Sequence, residues 1–133
     1  MAEKKNQLLN ISLVLFAISM LGYGIIYLFF PEWEIKSSGS VVFPAGWIRF
    51  LGSLIFVLGI GSIMVLRNPS KQGIFITTIC IGTFLMGLTL IYTVIFEYEE
   101  MGNIWRSLIP AIIVLILSIL FFISLKKSKE ILW

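Results

Sequence analysis

The sequence predicts an all-α membrane protein, an antiparallel bundle of four transmembrane helices. The chain has 133 residues, of which 59% are hydrophobic and only 13% charged, far from the composition of a soluble domain. Most of the apolar residues fall into four runs, each long enough for the roughly 20-residue helix that crosses a bilayer. We therefore expect residues 1–133 to form one membrane domain with spans at Leu8–Phe30, Ala45–Leu66, Gly73–Phe96 and about Ile104–Leu125.

The first run follows Lys4 and Lys5, as the apolar part of a signal peptide would. However, it is longer than a typical signal-peptide core, and no small-x-small cleavage site follows it. We expect an uncleaved first span that also directs insertion.

The connections between the runs alternate in charge. Met1–Gln7, Arg67–Gln72 and the tail after Leu125 hold most of the lysines and arginines, whereas Pro31–Pro44 and Glu97–Asn103 hold most of the glutamates. By the positive-inside rule, both termini are predicted to be cytoplasmic, in a plasma or inner membrane. The basic balance therefore follows from topology and gives no reason to expect nucleic acid as a partner.

The two halves of the chain resemble each other. In each half, a span ends in an Ile-Tyr pair (Tyr27 or Tyr92) followed at equal distance by Glu-aromatic-Glu, and the next span begins with a Trp and an Arg (Arg49 or Arg106). Two duplicated helical hairpins would produce this pattern. The alternative is that tyrosines, acids and Trp/Arg pairs collect at a membrane boundary for interfacial reasons alone.

Small and hydroxylated residues recur at helical spacing on each span. Such residues favour close helix packing in membranes, so we expect them to form the bundle core, with a solute or lipid cavity as the alternative. The stripes are Ser12, Ser19, Tyr23 and Tyr27; Arg49, Gly52, Phe56 and Gly59; Thr78, Gly82, Met86, Thr89, Thr93 and Glu97; and Ser107, Ala111 and Ser118.

Arg49 lies about one turn inside the predicted membrane boundary, where a charge must pair or reach outward. We expect an Arg49–Glu97 ion pair, with Glu32–Arg106 as its counterpart in the other half. Such pairs would clamp the hairpins. Alternatively, the arginines would bind phosphate or carboxylate groups in the outer leaflet. The candidate ligand-binding residues are Arg49, Glu97, Arg106, Glu32, Tyr27 and Tyr92.

Reactive side chains are scarce. The sequence has no His and no Asp, and its one cysteine, Cys80, falls in the middle of the third run. These residues provide no metal-ligand set and no Ser–His–Asp or Cys–His pair. We expect no cofactor, no metal and no catalytic residues.

The second span reads Arg49-Phe50-Leu51-Gly52 and continues to Leu58-Gly59. In this segment and in its four-span layout, the chain resembles the DoxX-like and related small four-span bacterial families. Many members of these families have no assigned activity. The resemblance implies the fold, and no catalytic residue carries over from it.

Two functions fit these features. The first is a non-enzymatic accessory, scaffold or self-associating bundle, whose partners are the bilayer and either further copies or a larger membrane assembly. The second is a lipid or small-solute binding or transport protein that uses the outer Arg/Glu cluster. An enzyme is disfavoured, because interfacial carboxylates and tyrosines need no catalysis to explain them.

Overall fold

The computed structural model describes residues 2–39, 44–97 and 103–133. In these ranges the chain forms helices and no strand. The helices are α1 (Ala2–Phe29), α2 (Pro31–Ser38), α3 (Ala45–Arg67), α4 (Gly73–Phe96), α5 (Trp105–Lys127) and α6 (Lys129–Leu132).

Four of these helices are long and apolar enough to cross a membrane. The spans are Gln7–Phe29, Ala45–Arg67, Gly73–Phe96 and Trp105–Lys127. They match the predicted runs to within one or two residues at each end. The predicted fold class is therefore confirmed, and the chain is an integral membrane protein with four membrane-spanning helices.

The spans form two hairpins that lie side by side. α3 packs along α1, α4 packs along α5, and α1 and α5 join the two hairpins at the centre. In the part of the chain that the structure describes, α3 and α4 make few contacts although only five residues separate them. The hairpins therefore meet through α1 and α5, and α3 and α4 lie on the flanks.

One end of the bundle is the terminal end, where α1 begins and α6 lies, and two buried contacts join α1 to α5 in the half of the bundle nearer to it. The Phe16 and Phe121 rings meet edge to face, 5.5 Å between centroids, and join α1 to α5. The Ser12 and Ser124 hydroxyl oxygens lie 3.3 Å apart in the same interface, and both side chains are buried. The opposite end, where α2 lies and where α4 ends, is the loop end.

Glycines allow α1 and α3 to approach closely. A Cβ at Gly52 would lie 2.7 Å from the Leu28 backbone nitrogen, and a Cβ at Gly24 would lie 2.9 Å from the Phe56 Cα. Gly59 makes a similar approach to the Leu21 side chain. The stripe predicted on the second span is therefore a helix-packing face, as expected of small residues in membranes.

Most of the stripe predicted on the third span faces away from the core, although Met86 packs against it. The buried residues of α4 are Gly73, Ile76, Ile79, Thr83 and Gly87. Thr78, Gly82 and Thr89 are instead exposed. The prediction was therefore wrong for most of this stripe. Helical spacing identifies residues that share a face, but a helix in lipid has an apolar outward face too, so spacing does not show which face turns inward.

Candidate functional site

Four of the six candidate site residues gather around α2 at the loop end: Tyr27, Glu32, Arg49 and Arg106. α2 begins at Pro31, whose ring cannot continue the hydrogen bonding of α1 and is well suited to the first position of a helix. It ends at Gly39, which has φ 68°, a left-handed conformation that glycine adopts without strain. Glu32 and Glu34 lie in its first turn, where carboxylates stabilise the helix dipole.

α2 is in contact with both α1 and α3. Residues two apart on a helix point about 200° away from each other, because each residue advances about 100°. Glu32 and Glu34 therefore point to opposite sides of α2, Glu32 toward α3 and Glu34 toward α5.

The stronger of the two ion pairs joins α2 to α5. Arg106 Nη1 lies 2.8 Å from Glu34 Oε2, and the two side chains are 28% and 19% exposed. The Arg106 guanidinium also lies over the Trp33 ring, 5.5 Å from its centroid. A short, mostly buried charge-assisted hydrogen bond with a cation–π contact holds the arginine in one position.

The second pair, between Arg49 on α3 and Glu32, is looser. Arg49 Nη2 lies 3.6 Å from Glu32 Oε1, and the side chains are 51% and 82% exposed. At this distance the contact is electrostatic and not a hydrogen bond. Exposed pairs of this kind contribute about 0–1 kcal/mol, so Arg49 can exchange Glu32 for another anion at little cost.

The predicted pairing was therefore wrong in both halves. Arg49 pairs with Glu32 and not with Glu97, and Arg106 pairs with Glu34 and not with Glu32. The reason is the order of the helices: α3 and α4 lie on opposite flanks, so a residue on α3 does not face the end of α4.

The other predicted site residues lie on two different helices, Tyr27 on α1 and Tyr92 and Glu97 at the end of α4. Tyr27 is half-buried and stacks edge to face with Tyr23, 6.0 Å between centroids. Both tyrosines are close enough to Glu34 and Arg106 for electrostatic interaction. Tyr92 is exposed and contacts Phe96 on its own helix, and Glu97 is exposed where α4 ends.

The loop-end cluster thus contains Tyr27, Glu32, Arg49 and Arg106 from the prediction, and Tyr92 and Glu97 lie apart from it. The corresponding tyrosines of the two halves, Tyr27 and Tyr92, have different surroundings. The internal duplication stays a prediction, and residues 98–100 of its second motif lie outside the described residues.

Sequence reasoning missed Glu34 and Trp33 as site residues because it treated Pro31–Pro44 only as a connection between two spans. The structure places Ser37 within α2. The signal for a helix was available: a proline at the first position, acids in the first turn and a glycine just past the end.

The loop-end cluster contains two arginines, which differ in how far they are free to bind an anionic group. Arg106 is engaged by Glu34 and Trp33, whereas Arg49 keeps half of its side chain exposed. Within the described ranges, no three His, Cys, Asp or Glu residues lie close enough to hold a metal ion. The arrangement can hold an anionic group at Arg49.

No family model, no curated protein and no solved structure matched this chain. The resemblance to the DoxX-like families therefore stays a prediction.

Proposed function

We propose that the protein is a non-enzymatic helical subunit that assembles with other membrane helices, either further copies of itself or a larger complex. The observation that supports this proposal is the outward face of α4, which carries Thr78, Gly82 and Thr89. Small and hydroxylated residues at this spacing let two membrane helices approach closely.

All three residues belong to α4, and all three are exposed in the part of the chain that the structure describes. A Cβ at Gly82 would meet no heavy atom within 4 Å, so the glycine leaves an open notch in the surface of α4. The Thr78 and Thr89 hydroxyls donate to the Ile74 and Leu85 carbonyls of their own helix, 2.9 Å in both cases. Their donors are thus satisfied in lipid, and their oxygens remain able to accept a hydrogen bond from a neighbouring helix.

Gly82→Leu tests the assembly, and Gly22→Leu provides the matched control. Gly22 is also a helical glycine with open space around it, but large side chains such as Ile18 and Ile25 flank it on the exposed surface. Both substitutions add the same side chain to a lipid-facing position. We expect Gly82→Leu to raise the dissociation constant of the complex about tenfold or more, and Gly22→Leu to leave it unchanged.

The measurement is native mass spectrometry of the protein extracted gently from its own membrane. A homo-oligomer, or a stoichiometric second protein, that is lost only in Gly82→Leu supports the proposal. A lone chain in the wild-type sample, or equal loss in both variants, would overturn it.

The second candidate is a lipid or small-solute binding or transport protein that uses the loop-end cluster. The loose, exposed Arg49–Glu32 pair favours it, because Arg49 can bind a phosphate or carboxylate bidentately without leaving a buried charge unpaired. The same spectra test this candidate. A lone chain that retains a lipid or metabolite, and loses it in Arg49→Gln but not in Lys36→Gln, would favour this function over assembly.

A further inference from the structure

A basic surface lies at the terminal end, away from both the α4 face and the loop-end cluster. Among the side chains that the structure describes, its cations come from two segments that are distant in sequence. Arg67 and Lys71 belong to the end of α3 and the following turn, and the others belong to the end of α5 and to α6. We call it the basic terminal surface; its exposed cations are Arg67, Lys71, Lys126, Lys127 and Lys129, and Glu130 is its exposed acid.

The C-terminal tail joins these two segments. The Lys71 backbone N–H donates to the Ile131 carbonyl at 3.0 Å. The Leu132 side chain is only 1% exposed, so it anchors α6 in the bundle. The Trp133 ring lies against Gly73 at the start of α4, so closely that a Cβ on Gly73 would be 2.5 Å from the ring.

The turn itself has an unusual backbone. Lys71 has φ 59°, the left-handed conformation that is uncommon for a side chain other than glycine, asparagine or aspartate. Its N–H bond to the Ile131 carbonyl holds the backbone in this conformation, so the position of the Lys71 backbone is fixed beside the tail.

The surface is also placed at the level of the membrane boundary. The Lys126 ammonium lies 4.4 Å above the ring of Phe122, a half-exposed residue of the lipid-crossing helix. Trp133 is 63% exposed, and tryptophan prefers the depth of lipid headgroups. Cations and an indole at this depth match the phosphate and glycerol region of a phospholipid.

We propose that the basic terminal surface is a binding site for the headgroup phosphate of an anionic phospholipid. Lys71 and Lys129 contact the phosphate, Arg67 and Lys126 supply further positive charge, and Trp133 anchors the site at headgroup depth. The alternative explanation of these cations is the positive-inside rule, which requires only that they lie on this side of the membrane. It does not require the tail to dock on Gly73 or Lys71 to hold a left-handed backbone.

The test compares lipid retention by native mass spectrometry after incubation with equal amounts of phosphatidylglycerol and phosphatidylcholine. The wild-type protein is expected to retain mostly phosphatidylglycerol. Lys71→Gln and Lys129→Gln should each lower the ratio of the two lipids about fivefold, the factor associated with one basic residue near an anionic membrane surface. Lys36→Gln, an exposed lysine at the loop end, should leave the ratio unchanged.

Trp133→Ala separates a built site from simple charge attraction. It keeps every cation but removes the ring that packs on Gly73, so we expect the ratio to fall several-fold, and Trp133→Phe to restore most of it. Thermal unfolding of each variant in the same detergent identifies any general loss of structure. Equal retention of both lipids by the wild-type protein, or unchanged ratios in Lys71→Gln and Trp133→Ala, would overturn the proposal.

Discussion

At the scale of single residues, the two arginines of the loop end have different roles although the sequence presents them alike. Each follows a tryptophan at the start of a span, yet Arg106 is fixed by Glu34 and Trp33, and Arg49 is half exposed beside Glu32. Removing one partner of a mostly buried pair leaves the other charge uncompensated, whereas an exposed pair loses little.

A double-mutant cycle measures this difference. We expect Glu34→Gln and Arg106→Gln to show a coupling free energy of about 1–2 kcal/mol in reversible unfolding from mixed micelles. The control cycle, Glu32→Gln with Arg49→Gln, should show less than about 0.5 kcal/mol. Equal couplings in the two cycles would mean that burial does not distinguish these pairs, and measurable coupling between Arg49 and Glu97 would restore the pairing predicted from sequence.

At the scale of helices, hydropathy alone located the four spans, because crossing a bilayer requires about 20 apolar residues whatever the packing. The neighbours of each helix could not be predicted in this way. Lipid is as apolar as a protein core, so the stripe of Thr78 and Gly82 reads the same whether it faces α5 or lipid. α2 was missed because eight residues give no hydropathy signal, and the position of Glu34 depends on that helix.

Gly52→Ala tests the close packing of α1 and α3. The added Cβ would lie within 2.9 Å of backbone atoms of Tyr27 and Leu28, which can give way only if the two helices separate. We expect a loss of about 1–3 kcal/mol in the free energy of unfolding. Gly22→Ala, where the new Cβ meets nothing within 4 Å, should be neutral or stabilise the protein by up to about 1 kcal/mol through helix propensity.

Both variants are compared by thermal and denaturant unfolding in one detergent. If Gly52→Ala were as stable as Gly22→Ala, α3 would not lie in close contact with the α1 backbone at Tyr27 and Leu28. Gly59→Ala should be intermediate, because its two closest obstacles are atoms of the flexible Leu21 side chain and the Leu21 backbone nitrogen is farther away, at 3.1 Å.

At the scale of the whole molecule, the two ends of the bundle differ in their charged residues and in their packing contacts. The terminal end combines the buried Phe16–Phe121 contact with the basic terminal surface, and the loop end combines the α2 ion pairs with exposed tryptophans. If the positive-inside prediction holds, the lipid site that we propose at the terminal end lies in the cytoplasmic leaflet.

Single-cysteine labelling tests this orientation directly, since Cys80 is the one native cysteine. In a Cys80→Ser background, Ser70→Cys places a thiol in the exposed turn at the terminal end, and Ser37→Cys places one in α2 at the loop end. With a membrane-impermeant maleimide, intact cells should label Ser37→Cys and not Ser70→Cys, because the lysine-rich side is predicted to be cytoplasmic. Permeabilised cells should label both, which controls for the partial burial of position 37. Labelling of Ser70→Cys in intact cells would reverse the topology and place the basic terminal surface in the outer leaflet.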